Sequence, residues 1–99
     1  MQSTFRYDVH AGTAGDTFAT AGVLAFAWAG VVGVSRIIEV TVWDAPAMMM
    51  MSYDGTNYGK EIELDMDDPP IQIPHAARSI QIRNANPGAN SRYQIVGFW

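Results

Sequence analysis

Short runs in which apolar residues alternate with other residue types fill most of this chain, and they constrain its fold more than any other feature. In one run, Ile38, Val40 and Val42 occupy alternate positions. Because the side chains of a β-strand point to opposite faces in turn, a period of two predicts half-buried strands and no amphipathic helix. Asp54 and Gly55 lie between two such runs and predict a hairpin, since this pair tolerates the positive φ that a reversal needs.

The pattern as a whole predicts an all-β fold. Seven or eight short strands separated by turn residues are typical of a small antiparallel β-sandwich of the jelly-roll or immunoglobulin-like kind. A length of 99 residues is expected to give a single domain over residues 1–99. Residues 11–16 are small and rich in glycine, so they are predicted to form a flexible loop.

One uncharged segment, residues 17–35, is nearly long enough to cross a membrane. Within it, most large residues fall at even positions and the alanines at odd ones. That period of two belongs to a strand rather than to a helix. We therefore expect one long strand, or two strands interrupted near Gly30, and no membrane partner.

Charge and cysteine content exclude several classes of function. The net charge is −4 and the six basic residues are scattered, whereas nucleic-acid binding needs basic patches that neutralise phosphates. No nucleic-acid partner is expected for this reason. The absence of cysteine excludes disulfides and thiolate metal sites. A hydrophobic fraction of 48% is high for a small monomer and favours burial of apolar surface against a partner.

No set of residues resembles a catalytic site. The two histidines, His10 and His75, are isolated, and no serine or threonine lies in the context of an activated nucleophile. We predict that the protein is not an enzyme and uses no cofactor. Asp65, Asp67 and Asp68 are weak candidates for a calcium site, but they lack the glycine and distal glutamate of an EF-hand loop, and a solvated acidic loop is favoured.

A run of four methionines, Met48, Met49, Met50 and Met51, precedes the predicted hairpin. Methionine adapts to several packing geometries, so an exposed methionine surface suits a protein contact. A strand with alternate methionines in the core explains the run equally well, because a strand exposes every second side chain. The sequence leaves both roles open.

Three motifs lie in the last two thirds of the chain: Ser52-x-Asp54-Gly55-x-x-Tyr58, Ile80-x-Ile82-x-Asn84 and Tyr93-x-Ile95-x-Gly97-Phe98. On these motifs the sequence resembles small structural proteins of tailed bacteriophages, over residues 37–99. The resemblance implies a non-enzymatic β-sandwich in the virion, either a capsid decoration (cement) protein or a head or tail attachment module.

The same resemblance implies the partners and the surfaces that meet them. A decoration protein stabilises the shell through many modest contacts, so the expected partners are further copies of the chain, with a trimer favoured, and the major capsid protein or another virion protein. We assign these contacts to the run from Met48 to Met51 and to the Gly-rich arm at Gly12 and Gly15.

An alternative function is carbohydrate binding or receptor recognition. The hairpin motif is similar to one in discoidin-like sandwiches, and a tail-fibre module is a related possibility. Trp43, Tyr53 and Tyr58 would then stack on a sugar, although aromatic residues more commonly pack in a core.

Overall fold

A computed structural model describes residues 7–23, 26–28, 31–33, 37–66, 70–73 and 77–98. The strands in these ranges are β1 Tyr7–Thr13, β2 Ala19–Val23, β3 Phe26–Trp28, β4 Val31–Gly33, β5 Ile37–Trp43, β6 Ala47–Ser52, β7 Ile62–Leu64, β8 Ile71–Ile73, β9 Ser79–Asn84 and β10 Arg92–Phe98. Within the described ranges, no helix has the length and apolar character needed to cross a membrane.

Eight of the strands form two four-stranded antiparallel sheets that pack as a sandwich. The first sheet has the order β1-β10-β5-β8 and the second has the order β2-β9-β6-β7. Most consecutive strands lie in different sheets, and this order is that of a jelly roll rather than of an immunoglobulin domain. The predicted all-β antiparallel sandwich is confirmed.

The core lies between the two sheets and is made by the alternate residues that the sequence pattern placed inside. Ile38, Val40 and Val42 of β5 are buried, and their neighbours along the strand are exposed or half-buried. The facing sheet contributes Ile80 and Ile82 of β9, which are also buried. Further core residues come from β6, β7 and β10: Ala47, Met49, Met51, Leu64 and Ile95.

The structure divides the alternating segment after residue 17 differently from the prediction. Its described residues form three strands, β2, β3 and β4, instead of one or two. The pairing of β2 with β9 shifts register between Thr20 and Gly22. Among the strands that the structure describes, β3 and β4 pair with each other, as a two-stranded sheet. Glycines in the segment weaken continuous pairing with one partner strand, which accounts for the division.

The predicted loop over residues 11–16 begins later than the sequence indicated. Residues 11–13 belong to β1 and pair with the start of β10. Gly12 lies opposite Tyr93, and a Cβ added at Gly12 would be 2.9 Å from the Tyr93 hydroxyl oxygen. A glycine in this stretch therefore marks close packing within the sheet. The flexibility of the remaining residues stays a prediction.

Candidate interaction surfaces

One end of the sandwich is held by a polar network, and we call it the network end. The Asn84 amide nitrogen donates hydrogen bonds to an Asp16 carboxylate oxygen at 3.0 Å and to the Asn90 side-chain oxygen at 2.9 Å. The Asn84 amide oxygen accepts from the Ser91 backbone N–H at 3.0 Å. The same Asp16 oxygen accepts from the Gly88 backbone N–H at 2.9 Å. Asn84 therefore joins the β1–β2 connection to the β9–β10 connection.

Backbone bonds reinforce this end. The Ala14 N–H donates to the Ser91 carbonyl oxygen at 2.7 Å, and the Asn84 N–H donates to the Gly15 carbonyl oxygen at 2.7 Å. The buried Ser91 hydroxyl donates to the carbonyl oxygen of Ala45, in the β5–β6 connection. These bonds tie three connections together, and the polar groups named here make their hydrogen bonds within the fold.

At the opposite end, which we call the far end, the β6–β7 loop is organised by one carboxylate. One Asp54 oxygen accepts from the Ser52 hydroxyl and from the backbone N–H groups of Thr56 and Asn57, at 2.7–2.9 Å. The other oxygen accepts from the Asn57 side-chain amide at 2.7 Å. Gly55 has a φ of +87°, as the Asp-Gly pair predicted. The β6–β7 loop is nevertheless longer than the tight hairpin predicted from the sequence. Hydrogen bonds to the Asp54 side chain set its geometry, in place of a two-residue turn.

These bonds predict acid sensitivity. Hydrogen bonds, chiefly from the backbone N–H of Asn57 and then from Thr56, hold the pKa of Asp54 well below its usual 3.8. A lowered folded-state pKa means that the ionised carboxylate stabilises the folded loop fully above pH 3.8, and that this contribution is lost as the pH falls toward the folded-state pKa. We expect the Asp54→Asn variant to have a lower Tm than the wild type at pH 7. The difference between the two Tm values is expected to narrow below about pH 4.

Circular-dichroism melting of both proteins from pH 7 to pH 3 tests this expectation. The Gly88 N–H and the Asn84 amide likewise lower the pKa of Asp16, so the Asp54→Asn variant is expected to keep some acid sensitivity. A gap in Tm that is constant over the whole range would contradict the role given to the Asp54 charge.

The methionine run is a strand with alternate residues in the core. Met49 and Met51 are buried between the sheets, and they are unavailable to a partner of the folded chain. Met48 and Met50 are half-buried on the outer face of the second sheet. An interface through these two residues stays a prediction.

The aromatic residues suggested for sugar stacking do not come together. Trp43 lies at the network end, where the Arg92 guanidinium stands 5.7 Å from its ring centroid. Tyr53 and Tyr58 lie at the far end, beyond the other end of β6, which spans roughly 16 Å at the usual rise per residue. The Tyr58 hydroxyl is 2.6 Å from the Ser79 hydroxyl, while Tyr53 is 64% exposed. The three rings therefore do not form one platform.

The other predicted site residues are the two glycines and the three aspartates. Gly12 and Gly15 are both exposed, and nothing lies within 4 Å of a Cβ added at Gly15. Of the acidic residues, Asp65 is exposed, whereas Asp67 and Asp68 lie outside the described residues. Among the residues that the model describes, no group of three or more His, Cys, Asp or Glu side chains is placed to hold a metal ion.

An apolar patch on the outer face of the first sheet was not singled out from the sequence. It consists of Val9, Ile37, Val96 and Phe98, which pair across β1, β10 and β5. Val9 and Ile37 are 45% and 40% exposed. Each residue belongs to an ordinary alternating strand, and only the pairing of distant strands brings the four together.

Comparison with known proteins gives a likeness in fold alone. No family model matches the sequence, and no curated protein matches it. A solved structure that is similar over almost the whole chain comes from the description of Bacillus endospore appendages as a novel family of disulfide-linked pili. The TM-score is 0.52 at 12% identity, and the match covers 99% of this chain and 91% of that chain.

This likeness corrects the functional inference from the sequence motifs. The resemblance to virion proteins of tailed phages was wrong, and with it the capsid decoration role, the sugar-binding alternative and the virion location, since the match over the full fold is to a pilus component. The phage motifs lie in the β6–β7 loop and along β9 and β10, where the same residue types recur in many unrelated β-sandwiches.

Proposed function

We propose that this protein is a non-enzymatic structural subunit that associates with copies of itself into a polymeric surface appendage. The observation that carries the proposal is the similarity to a pilus component, which extends over 99% of this chain and 91% of the other. A match of this extent favours use of the whole sandwich as a building block.

These 99 residues cannot supply the disulfide links named for the similar structure. Those appendages are described as disulfide-linked pili, and these 99 residues contain no cysteine. We therefore propose that these residues meet their counterparts in neighbouring copies through non-covalent contacts. They depend on burial of apolar surface and on backbone hydrogen bonds, and a reductant leaves them unchanged.

Two properties of the sandwich favour such contacts. Within the described part of the chain, β1 lies at an edge of the first sheet and has a strand partner on one side only, over its seven residues. A long edge strand presents backbone N–H and C=O groups that another chain can pair with. The apolar patch begins on this same strand, at Val9, and gives a partner further surface to cover.

Sedimentation velocity of the purified chain over a wide range of concentration tests the proposal. The expected result is a distribution that shifts to large species as concentration rises and is identical with and without dithiothreitol. A chain that remains monomeric at the highest soluble concentration would refute self-assembly. Species that dissociate on reduction would refute the non-covalent contact.

A further inference from the structure

Arg78, at the far end, carries a guanidinium nitrogen that is buried without a hydrogen-bond partner. The Arg78 backbone N–H donates to the Ser52 carbonyl oxygen at 2.7 Å, and the Arg78 Cδ lies 3.4 Å from the position of a Cβ added at Gly55. The side chain therefore packs on the β6–β7 loop. Its Nε is enclosed there, and no acceptor bonds to it in the part of the chain that the structure describes. A buried N–H of a charged group is unfavourable without an acceptor, so an acceptor from outside the chain stabilises this side chain.

The other two arginines that the structure describes both have carboxylate partners. Arg83 forms an ion pair with Glu61 at 3.5 Å, and Arg92 forms one with Asp44 at 2.6 Å. Among the described residues, no carboxylate pairs with Arg78 in this way. A guanidinium stays charged at ordinary pH and presents parallel N–H groups, so a carboxylate is the acceptor that fits it best. The Arg78 side chain is half-buried, and a carboxylate can accept from Nη and Nε together once the guanidinium turns away from the loop.

The network end carries an excess of negative charge. The described charged residues in or next to its connections are three aspartates and one arginine: Asp16, Asp44, Asp65 and Arg92. Asp44 is paired with Arg92, and Asp16 accepts hydrogen bonds from the Asn84 side chain and the Gly88 backbone. Asp65 is exposed, and neither of the two ion pairs that join described residues includes it. Within the described ranges, Asp65 is therefore the carboxylate at this end that remains open to an external cation.

Asp65 and Arg78 of one copy are too far apart to meet. Asp65 follows Leu64, which pairs with the first residue of β6, whereas Arg78 precedes Ser79, which pairs with the last. The length of β6, roughly 16 Å at the usual rise per residue, therefore separates them. Two copies arranged end to end bring the two residues together.

We propose that Arg78 of one copy binds the Asp65 carboxylate of the next copy, so that the far end of one sandwich meets the network end of its neighbour. This inference rests on the proposed function, and it names one contact through which the subunits meet. Because the two ends are different surfaces, each copy uses its far end on one neighbour and its network end on another. Such a heterologous contact continues from subunit to subunit when the geometry does not close into a ring.

Charge reversal at either residue separates this contact from the rest of the surface. Arg78→Glu and Asp65→Arg each place two like charges in the contact, which is repulsive. Lys60→Glu is the matched control for the first variant, because Lys60 is an exposed cation of the β6–β7 loop and the change in net charge is the same. Glu63→Arg is the control for the second, because Glu63 is an exposed carboxylate two residues before Asp65.

Light scattering of each variant, with circular dichroism to confirm folding, gives the first result. We expect Arg78→Glu and Asp65→Arg each to need a concentration about tenfold above that of the wild type to assemble, and both controls to assemble as the wild type does. Assembly of both variants at the wild-type concentration would overturn the contact while leaving self-assembly intact. A loss in only one of the two would overturn their pairing. A wild type that is monomeric at every soluble concentration would overturn the proposed function as well.

Salt gives an independent readout of the same contact. Raising sodium chloride from about 0.1 M to about 1 M shortens the Debye length from about 10 Å to about 3 Å. We expect wild-type assembly to weaken and the difference from the two charge-reversal variants to narrow. A difference that does not change with salt would contradict a contact between charges.

Mixing the two variants gives the sharper result. Arg78 of the Asp65→Arg copy can still meet Asp65 of the Arg78→Glu copy, and at the next contact the introduced glutamate meets the introduced arginine. An equal mixture is therefore expected to assemble as an alternating polymer near the wild-type concentration. A mixture that assembles no better than either variant alone would overturn the pairing of these two residues.

Discussion

Replacement of Met49 by alanine is expected to lower the free energy of unfolding by about 2–5 kcal/mol, one of the largest single effects in this chain. Met49 is fully buried between the sheets and pairs on both sides, with Ile62 of β7 and Ile82 of β9. Alanine removes the apolar contacts of the side chain and leaves a cavity that the two flanking strands cannot easily close. Urea unfolding followed by tryptophan fluorescence measures the change.

Met50→Ala is the matched control for this substitution. The residue is adjacent, has the same chemistry and belongs to the same strand, but it is half-buried on the outer face. We expect a loss below about 1 kcal/mol, as for most surface substitutions. Equal losses for the two variants would contradict the alternation of the methionine run and the assignment of the core.

Asn84→Ala is expected to lower the free energy of unfolding by roughly 2–4 kcal/mol. The cause differs from that for Met49→Ala, because this substitution leaves buried polar groups without partners. The Ser91 N–H is buried and donates to the Asn84 side-chain oxygen, and alanine offers no replacement acceptor. Asp16 and Asn90 lose their bonds to the same side chain. A loss of this size corresponds to a fall in Tm of about 10–30 °C for a domain of this length.

Asn90→Ala serves as the control for the network. Asn90 is exposed and accepts one of the bonds from Asn84, so water can satisfy the amide that is freed. The bond is part-buried, and we expect its loss to cost about 1 kcal/mol, typical of a single hydrogen bond. An Asn84→Ala variant as stable as Asn90→Ala would show that the network end is held without the Asn84 side chain.

The parts of the fold that were predicted correctly depend on local pattern. Ile38, Val40 and Val42 alternate with their neighbours along β5. This alternation predicts which residues face inward, and it does so without any knowledge of the partner strand. The jelly-roll order could not be chosen over an immunoglobulin order in this way, since the pairing of β1 with β10 joins residues from opposite ends of the sequence.

The surfaces were harder to predict because they are assembled from distant segments. Asn84 contacts Asp16, 68 residues away, and no sequence spacing indicates that meeting. Val9 and Val96 are neighbours in the apolar patch only because β1 and β10 pair. The segment of β3 and β4 left a signal in the sequence, an uncharged stretch with regular alternation, but its pairing as a two-stranded sheet is seen only in the fold.

Negative-stain electron microscopy of the concentrated protein tests the central claim most directly. Self-assembly through non-covalent contacts predicts filaments of regular width, present equally with and without dithiothreitol. Dispersed single particles at every concentration, from protein that circular dichroism shows to be folded, would contradict the account.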